Sequence, residues 1–151
     1  TYHVSIGQGD LLLSPLGIVR ALAFLATRGT WVTPHLLEKT SQKTPDPLLL
    51  QEQSFMVVAD GMRKAAEEGG TASALSWLPF PIAAKTGTAE LGNKDMVNSW
   101  FIGYAPYDQP EIGMVIFMES GPRSNLVGSP YIASETFRWI LNNGGLERFT
   151  N

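Results

Sequence analysis

The sequence contains no cysteine, which excludes disulfides, thiolate metal sites and a cysteine nucleophile. Histidine is nearly absent too. His3 and His35 are its only two, and they lack metal-ligand spacing and an evident acidic partner. With no Gly-x-Ser-x-Gly elbow either, the pattern argues against a Ser-His-Asp hydrolase. No apolar run approaches the ~18 residues that a bilayer span requires. The net charge of −3 provides no field for nucleic acid or an anionic membrane. Ser5-Ile6-Gly7-Gln8-Gly9-Asp10 has two close glycines, but not the glycine period or the Lys-Ser/Thr of a phosphate cradle. It reads as a turn feeding a helix. Internal repeats and low-complexity tracts are absent.

What the chain does have is enough apolar material for a core. Hydrophobic residues make up 44% of its 151 positions, and that length suits one domain or a large part of one. Ser14-Pro15 pairs an N-cap with proline at the first helical position. Leu16, Val19, Leu22, Ala23 and Ala26 recur at helical spacing. A largely buried helix is therefore expected over 15–28, stopped by Gly29. Residues 30–53 are loop-like, broken by Pro34, Pro45 and Pro47, and Leu48-Leu49-Leu50 is too short to assign. A second helix is expected from about Ser54, with Phe55, Val58, Ala59, Met62, Ala65 and Ala66 on one stripe and Gly69-Gly70 at its end. Trp77 and Phe80 are expected as cover.

Three strands follow: one through 81–90, one over 99–105 and one over 112–118. The last is a near-continuous apolar run that suits a strand covered on both faces. Short connections predict an antiparallel meander in chain order. Ser129-Pro130 repeats the cap-plus-proline signal. Ile132, Ala133, Thr136, Phe137, Ile140 and Leu141 form the stripe of a last helix, closed by Gly144-Gly145. The fold class is α+β, with an antiparallel sheet packed with helices.

The stretch Lys85-Thr86-Gly87-Thr88-Ala89-Glu90 stands out chemically. Thr86 and Thr88, two apart on a strand, point their hydroxyls to one face. Gly87 weakens a strand interior and often marks a place where a ligand or backbone approaches closely. On an edge, such a strand offers N–H donors, two hydroxyls and an ammonium along one line, which suits a carboxylate and a developing oxyanion. Taken alone the tripeptide is an unspecific signal, since any exposed strand can carry two threonines.

Three stretches in order are more specific. Ser5-Ile6-Gly7-Gln8-Gly9 with Ser14-Pro15-Leu16, then Lys85 to Glu90, then Ser99-Trp100-Phe101-Ile102-Gly103-Tyr104-Ala105-Pro106 together resemble the C-terminal part of the transpeptidase domain of class B penicillin-binding proteins. The elongation-type branch of that family, penicillin-binding protein 2, is the nearest in pattern. The resemblance spans nearly the whole of 1–151 as part of a single domain, and is weakest over 30–53 and after 143. It implies an incomplete penicillin-binding protein/serine β-lactamase fold and an acyl-serine mechanism that cross-links peptidoglycan stems. By the same resemblance, Lys85 supplies positive charge beside the nucleophile and the substrate carboxylate. Thr86 and Thr88 hold that carboxylate through their hydroxyls, the Thr88 N–H is an oxyanion donor, and Gly87 admits the acyl group. The segment 5–10 is assigned a scaffold role. No metal and no cofactor are expected. The implied partners are a D-alanyl-D-alanine peptide stem, β-lactams, other cell-wall synthesis proteins, and either a second copy of the chain or an upstream fragment. The implied location is the bacterial cell envelope, on the periplasmic or extracytoplasmic face of the cytoplasmic membrane, anchored by an upstream segment.

The family pattern is not complete here. No serine has a lysine three residues on, and Ser-x-Asn is absent. Thr40 and Lys43 have the spacing, but in a proline-flanked polar loop out of the family's order. The chain is therefore read as lacking the nucleophile, which lies upstream in the family, and as inactive alone. A class D β-lactamase or β-lactam sensor shares the Lys-Thr-Gly strand, and a non-catalytic scaffold module could share the fold.

Overall fold

The computed structural model describes residues 12–36, 50–92, 95–125 and 127–146. The 5–10 turn, His3, the Thr40–Lys43 pair, Pro45, Pro47, Leu48 and Leu49 lie outside the described residues.

The first helix, α1, spans Pro15–Ala26. The Ser14 hydroxyl accepts the Gly17 N–H at 3.1 Å, the expected N-cap. The helix ends two residues short of expectation because Arg28 itself turns left-handed (φ 54°), ahead of Gly29 (φ 104°). The Gly29 N–H then closes on the Phe24 carbonyl at 2.8 Å. The helix is only partly buried, contrary to the sequence reading. Leu22 and Phe24 are enclosed, while Leu16 is 59% exposed. It lies on one face of the sheet, mainly over the third strand, and its N-terminal turn reaches past what the described residues cover.

The second helix, α2, spans Glu52–Ala66 and starts two residues before Ser54. Glu52 sits in its first turn, with Arg63 and Lys64 in its last, both favourable to the helix dipole. Phe55, Met62 and Ala66 form the buried stripe as read, but Val58 is 50% exposed. Asp60 pairs with Lys64 at 2.8 Å and Arg63 at 3.2 Å on the polar side. A short 3-10 turn, Ser73–Leu75, leads towards the sheet.

Strands β1 (Ala83–Glu90), β2 (Met96–Ala105) and β3 (Ile112–Pro122) form an antiparallel sheet in the order β1-β2-β3, the expected meander. β2 starts three residues earlier than read, and β3 ends four later. Pairing resumes beyond an irregularity between Val97 and Ser99, where the Asn98 side-chain carbonyl accepts the Ser120 N–H at 2.9 Å and patches the ladder. In the sequence these polar residues look like loop. The last helix, α3, spans Ser129–Asn142. Its N-cap is Gly128 rather than Ser129, a correction with consequences below.

The sheet carries a core on each face. On one, Ala84, Phe101 and Ala105 pack with Phe137 and Ala133 of α3, and with Leu75, Leu78 and Phe80; Ile112, Met114 and Ile116 join them. Phe101 and Phe137 are fully buried. On the other face, Ala83 and Tyr104 pack with Leu22 of α1 and Met62 of α2, with Val115 alongside. So β3 touches a core on each face, but its residues are at most half-buried, and the cover that its apolar run implied is partial. Trp77 is a half-exposed clasp. Its indole N–H donates to Ser134 Oγ at 2.7 Å, and that hydroxyl donates to the Ala74 carbonyl at 2.7 Å.

Among the described residues, the outer edges of β1 and β3 have no strand partner. An apolar strand with a free edge is a template for pairing. The purified chain is expected to self-associate along β3, or to keep a second polypeptide on it, in light scattering. A monomer at high concentration with the amides of 113–118 strongly protected would contradict this.

Candidate active site

The hydrogen-bonding phase of β1 follows from one contact. The Leu91 N–H donates to the Met96 carbonyl at 3.1 Å, and the pairing from Ala83↔Tyr104 to Glu90↔Val97 runs without a shift. In an antiparallel ladder such pairs alternate. Lys85, Gly87 and Ala89 therefore direct their backbone groups to β2, while Thr86, Thr88 and Glu90 turn theirs to the free edge. The Lys85 ammonium donates to the Thr86 carbonyl, one of those edge-facing groups.

Side chains alternate as well. Thr86 and Thr88 share the α3 face with their partners Phe101 and Ser99, while Lys85 and Gly87 share the opposite face with Ile102 and Trp100. Trp100 stacks on Phe117 of β3 with ring centroids 4.0 Å apart, which stiffens the sheet behind Gly87. Lys85 and Thr88 are exposed, and Thr86 and Gly87 are half-buried. Among the described residues neither threonine hydroxyl has a hydrogen-bond partner and Lys85 has no ion pair. The strand's one carboxylate, Glu90, is held by Arg123 from the end of β3, so it does not compete for Lys85.

The structure places all four sequence-read residues, Lys85, Thr86, Gly87 and Thr88, on one edge strand, with the backbone of Thr86 and Thr88 turned to the free edge and that of Lys85 and Gly87 to β2. Among the described residues, no serine is hydrogen-bonded to a lysine. Two concavities among the described residues lie elsewhere. One, of about 380 Å³, lies between α2 and residues 75–82. The other, of about 230 Å³, lies between the end of α1, α2 and the β2–β3 turn. The edge is an open wall with donors and a cation on it, not an enclosed pocket. Such a wall can hold an anion and stabilise a developing oxyanion; it holds no nucleophile. The sequence reading missed Ser99, which bonds Ser129 beside this wall. Gly128 before Ser129-Pro130 was the available signal that Ser129 is not the cap.

An edge strand with outward N–H groups, two hydroxyls and an ammonium, on a helix-flanked antiparallel sheet, is a wall suited to an anion. Comparison makes this particular. The sequence model of the penicillin binding protein transpeptidase domain matches residues 2–141, and the chain belongs to that family. It is 28% identical over 145 residues to the peptidoglycan D,D-transpeptidase MrdA of Acinetobacter baumannii, covering 80% of this chain and 21% of the relative. To the MrdA of Haemophilus influenzae it is 27% identical, covering 94% of this chain and 26% of the relative. The chain thus spans about a fifth to a quarter of these relatives' length. Among solved structures, it resembles PBP2 of Helicobacter pylori in complex with MreC, with a TM-score of 0.80 and 26% identity, over 94% of this chain and 27% of that one. It also resembles Pseudomonas aeruginosa PBP2 in complex with WCK 5153, with a TM-score of 0.74 and 28% identity, over 94% of this chain and 34% of that one.

Gly87 separates packing from ligand access. Its φ is not positive, and a Cβ there would meet Trp100 Cβ at 3.6 Å, an ordinary contact. The fold does not need this glycine. Gly87→Ala is expected to change stability by no more than about 1 kcal/mol in denaturant unfolding. A loss of several kcal/mol would make Gly87 a packing residue of the sheet.

Proposed function

We propose that this chain forms the carboxylate-gripping, oxyanion-stabilising wall of a serine D,D-transpeptidase that cross-links peptidoglycan stems. One observation carries the reading. The outward backbone of Thr88, the hydroxyls of Thr86 and Thr88, which have no partner among the described residues, and the Lys85 ammonium, bonded to the edge-facing Thr86 carbonyl, flank one open strand edge from its two faces, in a chain of the transpeptidase family. The relatives' names favour this over the β-lactamase and scaffold readings.

In the proposed reaction, a serine of a Ser-x-x-Lys motif attacks the carbonyl of the terminal D-alanyl-D-alanine bond. That motif is absent from this sequence. The serine proton passes to a base, the C–O bond forms, and the carbonyl oxygen takes up negative charge. The outward Thr88 N–H stabilises that oxyanion, and such a donor is typically worth about 3–4 kcal/mol of barrier. Lys85 adds a positive field, and Thr86 and Thr88 hold the terminal carboxylate. The C–N bond breaks, D-alanine leaves with a proton, and an amine of a second stem displaces the serine from the acyl-enzyme. Gly87 leaves the strand without a side chain where the acyl group passes. A β-lactam presents the same carbonyl and carboxylate, and acylates the same serine.

The proposed setting is the outer face of the bacterial cytoplasmic membrane, with cell-wall synthesis proteins as partners. The similar proteins support this, one of them having been seen with MreC. No helix among the described residues is long and apolar enough to cross a membrane.

The test is labelling with a fluorescent penicillin. This chain alone is expected to take up no covalent label. The longer protein with the Ser-x-x-Lys motif is expected to be labelled, and its Lys85→Ala variant to acylate at least ~10-fold more slowly, with its melting temperature nearly unchanged. Stoichiometric labelling of this chain, or unchanged acylation in Lys85→Ala, would overturn the assignment.

A further inference from the structure

The α3 helix starts without a cap of its own. Gly128 is the N-cap and has no side chain to accept a helix N–H. The acceptor comes from the sheet. Ser99 Oγ of β2 accepts the Ser129 N–H at 3.2 Å and shares a 2.8 Å hydrogen bond with Ser129 Oγ. Ser129 is fully buried and Ser99 half-buried, so both bonds lie partly out of water. A Cβ on Gly128 would lie 3.7 Å from Ser99 Oγ, so the cap residue too sits against this side chain.

Ser99 is also the β2 residue directly opposite Thr88. By the phase derived above, this is a non-hydrogen-bonded pair, in which Cα atoms approach to about 4.5 Å and side chains are closest. Thr88 has little else to hold it, since its backbone groups face the free edge and its hydroxyl has no partner among the described residues. On the far side of β2, regular pairing breaks between Ser99 and Val97. The ladder is therefore irregular one residue from the place where Thr88 needs support.

We propose that Ser99 is a positioning residue: by capping α3 from the sheet, it holds the helix N-terminus on β2 opposite Thr88 and fixes the edge from which Thr88 presents its N–H and hydroxyl. Its consequence for catalysis rests on the transpeptidase reading; its mechanical part does not.

Two measurements separate these. In this chain, Ser99→Ala is expected to speed amide exchange at Ser129 by at least ~10-fold and to shift or broaden the Thr88 amide and methyl resonances, with Ala83 and Ala84 unmoved; Ser99→Thr, which keeps the hydroxyl, is expected to restore both. Faster exchange at Ser129 with Thr88 unmoved would overturn the proposal. In the longer protein, Ser99→Ala is expected to lower the rate constant of acylation by benzylpenicillin ~10-fold, and Ser99→Thr to recover it. A Phe55→Leu variant, which loosens the packing of α2 on α1 away from Thr88, is expected to keep the wild-type rate. Equal slowing in Ser99→Ala and Phe55→Leu would reduce Ser99 to a stability residue and also overturn the proposal. If the wild-type longer protein is not acylated at all, the transpeptidase reading fails, and the resonance experiment still decides whether Ser99 positions Thr88.

Discussion

The register between β1 and β2 is the constraint on which the rest depends. A slip of one residue would exchange the two faces of the strand. Ala83 and Ala84 are both fully buried, one in each core, and the next residue is the exposed Lys85. Slipping β1 by one would push the Lys85 ammonium into a site shaped for a methyl group, with no anion to meet it. Burying an unpaired charge costs several kcal/mol. Gly103, paired with Ala84, tightens the lock, because a Cβ there would come within 2.8 Å of the Ala83 carbonyl and 2.9 Å of the Phe101 ring. One end of the strand is thus held by packing, and the alternation carries that placement to Thr86 and Thr88.

The same strand changes character along its length. At Ala83 and Ala84 it is sandwiched between helices. From Lys85 to Glu90 its outer edge is open and its side chains are polar. The first half sets direction and phase; the second half exposes donors in fixed order. Charges follow this division. Glu90 is tied to Arg123, Glu52 to Arg28, Asp60 to Arg63 and Lys64 and Glu67 to Arg63, while among the described residues Lys85 is bound only to a backbone carbonyl of its own edge. An ammonium kept out of ion pairs can meet an incoming carboxylate without first giving up another carboxylate.

Much of this was legible in the sequence, for identifiable reasons. Strong periodicity located the helices to within about two residues, and short connections dictated the meander. The strand that carries Lys85 to Thr88 was readable, but the tripeptide alone is unspecific, and it was the resemblance of three stretches in order that singled it out. What was hidden depended on contacts between distant segments. The sequence around Ser129 carries a cap-plus-proline signal, yet Gly128 takes the cap and Ser129 turns to Ser99, thirty positions away. Asn98 looks like the end of a loop, but its side chain completes a strand ladder. The partial exposure of α1 was not readable either, since an apolar stripe does not say how much of it will find cover.

The central claim is that the Thr88 edge holds the reacting carbonyl and the carboxylate. A crystal structure of the longer protein acylated by a penicillin tests it most directly. The acyl carbonyl oxygen is predicted to lie about 3 Å from the Thr88 nitrogen, with the carboxylate on the hydroxyls of Thr86 and Thr88 and the ammonium of Lys85 nearby. An acyl group directed away from β1, or a Thr88 N–H bonded to another strand of the protein, would contradict the account.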